Sequence, residues 1–112
     1  MLDLLRASRF DLSTETATQF DIGRTLATEG VPHRREARLS PRDRIDFLTA
    51  DGLGIEVKIR GQRRPAVLRQ LERYAEHDAV KALVLLTNVA VGFPATLNGK
   101  PLHVISMGRA WL

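Results

Sequence analysis

"RIDFLTADGLGIEVKIR", residues 44 to 60, is the stretch on which the fold of this chain turns. Two apolar runs, "RIDFL" and "IEVKI", flank "TADGLG", whose Asp51-Gly52 pair is a hairpin signal. Side chains alternate across a strand, so Ile45 and Phe47 are expected on one face and Asp46 on the other. By the same parity Ile55, Val57 and Ile59 share an apolar face, and Glu56 and Lys58 point away from it. A register that buries both apolar faces together puts Asp46 on the side of Glu56 and Lys58, and a slip of one residue would bury charge. Glu56 and Lys58 then stand roughly 7 Å apart along the strand. The alternative is an ordinary solvated hairpin face, on which Glu56 and Lys58 form a surface pair of little worth.

Outward from this hairpin the pattern is mixed α and β. From Ser13 to about Glu29 the chain reads as a helix, with Ser13 or Thr14 as cap and Gly30 before Val31-Pro32 as stop. Glu15, Gln19, Ile22 and Leu26 fall on one stripe of it. "HRREARL" (33 to 39) alternates as a strand, and "SPRD" reads as a turn. Residues 62 to about 78 read as a helix with Pro65 near its first turn and Val67, Leu71, Tyr74 and Ala75 apolar at helical spacing. "ALVLLT" (82 to 87) is a continuous apolar run suited to a strand buried on both faces. "PLHVISM" (101 to 107) reads as a last strand, and residues 1 to 11 stay unassigned between helix and strand. The order helix, three strands, helix, two strands predicts an α/β domain: a central mixed sheet flanked by helices.

Length and composition bound the rest. At 112 residues the chain is expected to be a single domain over 1–112, with an apolar share of 44% that suits a folded core. No apolar run approaches the ~20 residues of a membrane span, and "MLDLLRASRFD" does not read as a secretory signal. With no cysteine, disulfides and thiolate metal sites are excluded, and the expected setting is cytoplasmic. Seventeen basic residues face thirteen acidic ones, and residues 34 to 73 concentrate the excess, with ten arginines and Lys58 against six acids. Arginine's planar fork suits phosphate, so the charge favours a nucleic-acid partner over a merely solubilising surface.

Two converging carboxylates repel each other and favour a divalent cation between them. Hard oxygen ligands suit Mg²⁺, with Mn²⁺ as a substitute; Mg²⁺ completes its shell with water and substrate phosphate. Such an ion polarises a phosphodiester and acidifies a bound water, and a nearby ammonium can hold that water or neutralise growing charge. Asp46, Glu56 and Lys58 are therefore a minimal kit for metal-assisted phosphodiester hydrolysis.

The order and spacing of these residues, D46-x9-E56-V57-K58 on two strands, resembles the PD-(D/E)XK nuclease superfamily. Gln70 and Tyr74 in "QLERY", on the following helix, resemble the Q-x-x-x-Y motif of its RecB-like branch. Glu15 stands where many members carry a supporting acid. Ile45 replaces the proline of the motif, a position that varies widely in the family. The likeness spans about residues 14 to 88. It implies a restriction-endonuclease-like core ordered α-β-β-β-α-β-β, with Asp46 and Glu56 as metal ligands and the backbone carbonyl of Val57 adding another. Glu15 would support the metal and Lys58 would activate the water. Gln70 and Tyr74 would support the site or contact the DNA backbone. Tyr74 equally fits its helix's apolar stripe as a core aromatic, and Glu15 equally fits a helix N-terminal charge favoured by the macrodipole. Glu36, between Arg35 and Arg38, reads mainly as an ion-pair partner.

Arg60, Arg63 and Arg64, directly after the E-V-K strand, are the expected contacts for an entering phosphate backbone. His33, His77 and His103 show no metal-ligand spacing, and Trp111 reads as a packing or subunit contact. The expected function is thus a Mg²⁺-dependent nuclease acting on DNA in repair, recombination or phage and mobile-element processing. A homo-oligomer or a partner would supply specificity. RNA cleavage is open to the same residues. The alternative is a non-catalytic nucleic-acid-binding or assembly module that retains the nuclease fold; an intact triad argues against it.

Overall fold

Ala82–Thr87 is the element on which the fold is centred, and the computed structural model makes it the strand (β4 below) that lies inside a six-stranded sheet. The structure describes residues 2–59, 63–88 and 92–106. In chain order these form α1 (Leu2–Ala7), α2 (Glu15–Thr28), β1 (His33–Arg38), β2 (Arg44–Thr49), β3 (Leu53–Lys58), α3 (Arg64–Ala75), β4 (Ala82–Thr87), β5 (Thr96–Leu97) and β6 (Lys100–Ser106). The sheet runs β1-β2-β3-β4-β6-β5. β1, β2 and β3 pair antiparallel, β3–β4 and β4–β6 pair parallel, and β5–β6 closes antiparallel through the Asn98-Gly99 turn. No helix among the described residues is long and apolar enough to cross a membrane.

β4 reads as a continuous apolar run because both of its faces are covered. Val84 and Leu86 pack with Ile22 and Leu26 of α2 and Leu5 of α1, whereas Leu83 and Leu85 pack with Val67, Leu71 and Tyr74 of α3. The α2 helix starts where Thr14 accepts a hydrogen bond from the amide of Ala17, a cap worth about 1 kcal/mol. In α3, Pro65 sits in the first turn, where the missing N–H costs nothing. The short α1 and β5 add to the predicted order. α1 packs Leu5 under the α2-side core, which is what orders a six-residue segment that cannot stand alone. Met107, predicted in the last strand, and Trp111 lie outside the described residues.

One expectation is corrected at the hairpin. Ile45 and Phe47 do not share a face: Ile45 belongs to the α3-side core and Phe47 to the α2-side core. Regular pairing of β2 with β3 covers Phe47↔Ile55 and Leu48↔Gly54, and at Asp46 backbone-to-side-chain bonds take over from the ladder. On the other flank Glu36, at the gap between the Arg35↔Phe47 and Ala37↔Ile45 pairs, takes φ 51°. The strand can therefore turn at Asp46, and Gly54 makes room for the result. A methyl group there would stand 2.6 Å from Ile45 Cδ1 and 3.0 Å from Leu83 Cδ2. Both side chains are fully buried, so neither has space to retreat. Gly54→Ala is expected to cost about 1–3 kcal/mol by overpacking, read as a lower urea midpoint at unchanged m.

The polar side of the hairpin is not solvated either. α3 lies over it, and Glu56 is 2% exposed. Ile55, Val57 and Ile59 do share a face along β3, but the opposite face is interior too, because the sheet has helices on both sides.

Candidate functional site

Where β2 and β3 part, the carboxylates of Asp46 and Glu56 bridge the gap. Glu56 Oε1 accepts from the Asp46 amide at 3.1 Å, and Asp46 Oδ2 accepts from the Val57 amide at 2.8 Å. Each acid thus takes a backbone donor belonging to the other's strand. This reciprocal lock explains how two like charges are held together. The Lys58 ammonium lies 3.1 Å from Glu56 Oε2, and its side chain is 15% exposed. Tyr74 reaches in from α3: its hydroxyl lies 2.8 Å from the Arg44 carbonyl and 3.4 Å from Glu56 Oε2, and it donates to either. Tyr74 is a core aromatic, 1% exposed, whose hydroxyl reaches Glu56.

The electrostatics are strained in one direction. Burial, and then the neighbouring Asp46 charge, push the Glu56 carboxyl up to about 7. Burial likewise raises Asp46. Tyr74 is pushed above its ordinary value, first by burial and then by the Glu56 and Asp46 charges. One ammonium against two sequestered carboxylates leaves the site short of positive charge.

That shortage is the observation against which a metal is tested. A cation between Asp46 and Glu56 would relieve their repulsion. Among the described residues no group of three or more His, Asp or Glu side chains gathers as a metal cage. The donors that do come together, the Asp46 and Glu56 carboxylates, are hard oxygens of the kind that suit Mg²⁺. Val57, buried in the α2-side core, places its backbone amide on Asp46, so its peptide borders the same gap. Glu15, at the first turn of α2, accepts from the Ile59 amide at 3.1 Å. It therefore ties α2 to the end of β3, one residue beyond Lys58.

Other predicted residues fall elsewhere. Gln70 lines a groove with Tyr74 beside the carboxylates. Arg63 is exposed at the start of α3 without a side-chain capping bond. Arg64 donates to the Gly92 carbonyl and stacks its guanidinium over Phe93 at 5.6 Å. Arg60 lies outside the described residues. Glu36 pairs with Arg44 at 3.0 Å, not with its sequence neighbours.

Arginines that the sequence reading did not single out come together instead. Arg38, Arg42, Arg44 and Arg73 line the groove that holds Gln70 and Tyr74. At its floor the buried carboxylate of Asp43 accepts from Arg73 Nε at 3.1 Å and bonds His77 Nε2 at 3.0 Å. The His77 bond, ahead of the Arg73 contacts, holds the Asp43 carboxyl below its ordinary value. His77, assigned no chemistry from sequence, thus anchors this floor. A signal existed: residues 70, 73, 74 and 77 recur at i, i+3, i+4 and i+7, which is one helical stripe. No model of a known protein family, no curated protein and no solved structure matches the chain.

Proposed function

We propose that this protein is a Mg²⁺-dependent nuclease of the PD-(D/E)XK kind, hydrolysing phosphodiester bonds in DNA. One observation carries the reading: the half-buried Asp46 and Lys58 meet the buried Glu56 where the β2–β3 ladder gives way, with both carboxyls raised above their ordinary values. The mixed sheet with helices on both faces supports a restriction-endonuclease-like core. Bound Mg²⁺ would polarise the phosphodiester and acidify a water.

The chain's own residues do the rest. Asp46 and Glu56 would hold the ion, each kept in place by a backbone amide of the other's strand, and Tyr74 limits the swing of Glu56. The Val57 carbonyl is proposed as a further ligand, and Glu15 as a support at the end of β3. Lys58, which pairs with Glu56 Oε2 at 3.1 Å, would be the ammonium beside the reacting centre. There its ammonium orients the attacking water or neutralises charge on the phosphoryl oxygens. Gln70 and the arginines beside it meet the strand. Specificity would come from a second copy of the chain or from a protein partner.

The test is a cleavage panel with Mg²⁺ over branched, nicked, linear and circular DNA, single-stranded and duplex, with RNA as a parallel arm. Cleavage that needs Mg²⁺ and is lost in Asp46→Asn supports the reading. No cleavage of any substrate beyond the Lys58→Ala background would overturn it. A second reading, a non-catalytic nucleic-acid-binding module, has one observation in its favour: Lys58, Tyr74 and the Asp46 amide already occupy Glu56. It predicts binding whose salt slope ignores Mg²⁺ and survives Asp46→Asn.

A further inference from the structure

A groove of about 370 Å³ opens between the β1–β2 turn and α3, lined by Arg38, Arg42, Arg44, Arg73, Gln70 and Tyr74 together with the anchored Asp43. Its size falls in the range of small-ligand clefts, about 300–1,000 Å³. Four arginines against Asp43 and the Glu36 paired to Arg44 leave it net positive. A larger cleft of about 770 Å³ at the hairpin end sets Arg34 and Lys81 against Asp51 and Asp78, so it has no such sign. We propose that the arginine groove is a phosphate-binding subsite, which seats a phosphate of a nucleic-acid strand next to the one at the Asp46–Glu56 notch. The class of ligand rests on the nuclease reading given above.

The arginines are held in a way that suits this. Arg73 is fixed through Nε to the buried Asp43, and Arg44 through Nε to Glu36 at 3.0 Å. A bond at Nε leaves the two terminal nitrogens of a guanidinium for a second, outward contact, and their fork matches phosphate oxygens. Asp43 does not spoil the field, because Arg73 and His77 both engage it. Arg38 bonds the Pro41 carbonyl at 3.0 Å, and the Ser40 hydroxyl accepts from the Arg42 and Asp43 amides, so the turn bearing these arginines is set. Tyr74 joins the groove to the carboxylates. Tyr74 lines the groove while its hydroxyl sits between the Arg44 carbonyl and Glu56. An anion seated on the arginines is therefore one residue away from the carboxylates, on the α3 side of the notch.

The phosphate could be a terminal monoester or an internal diester, and one experiment separates them. Binding is measured by fluorescence anisotropy in EDTA, where no metal-dependent cleavage intervenes. The probes are single-stranded oligonucleotides of one sequence ending in a 5′-phosphate or a 5′-hydroxyl. Arg42 is exposed, so Arg42→Gln leaves the core intact. It is expected to weaken binding roughly tenfold and to flatten the plot of log K against log salt by about 0.7, one phosphate contact on a single strand. A loss confined to the phosphorylated probe identifies an end-binding subsite; an equal loss on both identifies a backbone diester. Inorganic phosphate should displace the phosphorylated probe from the wild type only in the first case. Arg24→Gln, on α2, is the control for net charge. An Arg42→Gln effect no larger than that of Arg24→Gln, on both probes, would overturn the subsite even in a protein that cleaves DNA. A clear Arg42→Gln effect in a protein that cleaves nothing would uphold the subsite and sink the nuclease.

Discussion

Lys58→Ala is expected to lower the Mg²⁺-dependent cleavage rate about 10²–10⁴-fold, while binding of the same DNA in EDTA falls less than tenfold. The asymmetry follows from position. Lys58 is one positive charge among many for a passing backbone, so its loss removes little affinity. Among the described residues it is the one positively charged partner of the buried Glu56 carboxylate, at 3.1 Å, with the half-buried Asp46 carboxylate beside them. Lys58→Arg is the sharper variant. It keeps the charge but brings a planar group that holds its proton at all working pH, so it is expected to restore binding and not rate. Because Lys58 also offsets the charge of Glu56, its removal should push that carboxyl higher still, and both variants need a melting curve beside the assay. Single-turnover rates of Lys58→Ala within threefold of wild type at saturating Mg²⁺ would move the chemistry away from this notch.

The residues of the notch were legible in sequence, but their environment was not. Strand parity and the Asp51-Gly52 turn were enough to bring Asp46, Glu56 and Lys58 together, since Gly52 takes the positive φ (94°) that the turn needs. The β4 run was legible for the opposite reason: a strand apolar at every position has no face to misassign. Parity failed at Ile45, whose change of face depends on side chains replacing ladder bonds and on the space above Gly54. No pattern local to "RIDFL" contains either. Burial of Glu56 was hidden because one hairpin cannot reveal that α3 will fold back over its polar side. The arginine groove was missed for the same reason: Arg38, Arg42 and Arg44 meet Arg73 only through the tertiary fold. Arginines adjacent to the motif, such as Arg64, looked better placed and turn out to serve the Gly92–Phe93 loop.

Glu56→Gln is expected to stabilise the metal-free protein at alkaline pH, a large effect of opposite sign to its effect on activity. In the folded chain the Glu56 carboxyl lies at about 7, against an ordinary value of 4.5. Below pH 4.5 folded and unfolded chains are both protonated there, and the residue's contribution is intact. Between 4.5 and 7 the unfolded chain gives up its proton first, so stability drains away, and above 7 the loss is complete at about 3 kcal/mol. Glutamine does not titrate. The unfolding free energy of Glu56→Gln minus that of wild type should therefore rise by up to about 3 kcal/mol from pH 4.5 to 8 in EDTA. Subtraction removes the groups common to both chains. The glutamine amide meets three donors, Lys58, the Asp46 amide and the Tyr74 hydroxyl, and loses one charge-assisted bond, so the difference should start negative and cross zero within the window. Mg²⁺ then reverses the order: at pH 8 it should stabilise wild type by mass action and leave Glu56→Gln nearly unmoved. A difference flat across pH 4.5–8 would mean that Glu56 is not buried against Asp46. A pH-dependent difference that Mg²⁺ does not touch would leave the pair buried but deprive it of its ion.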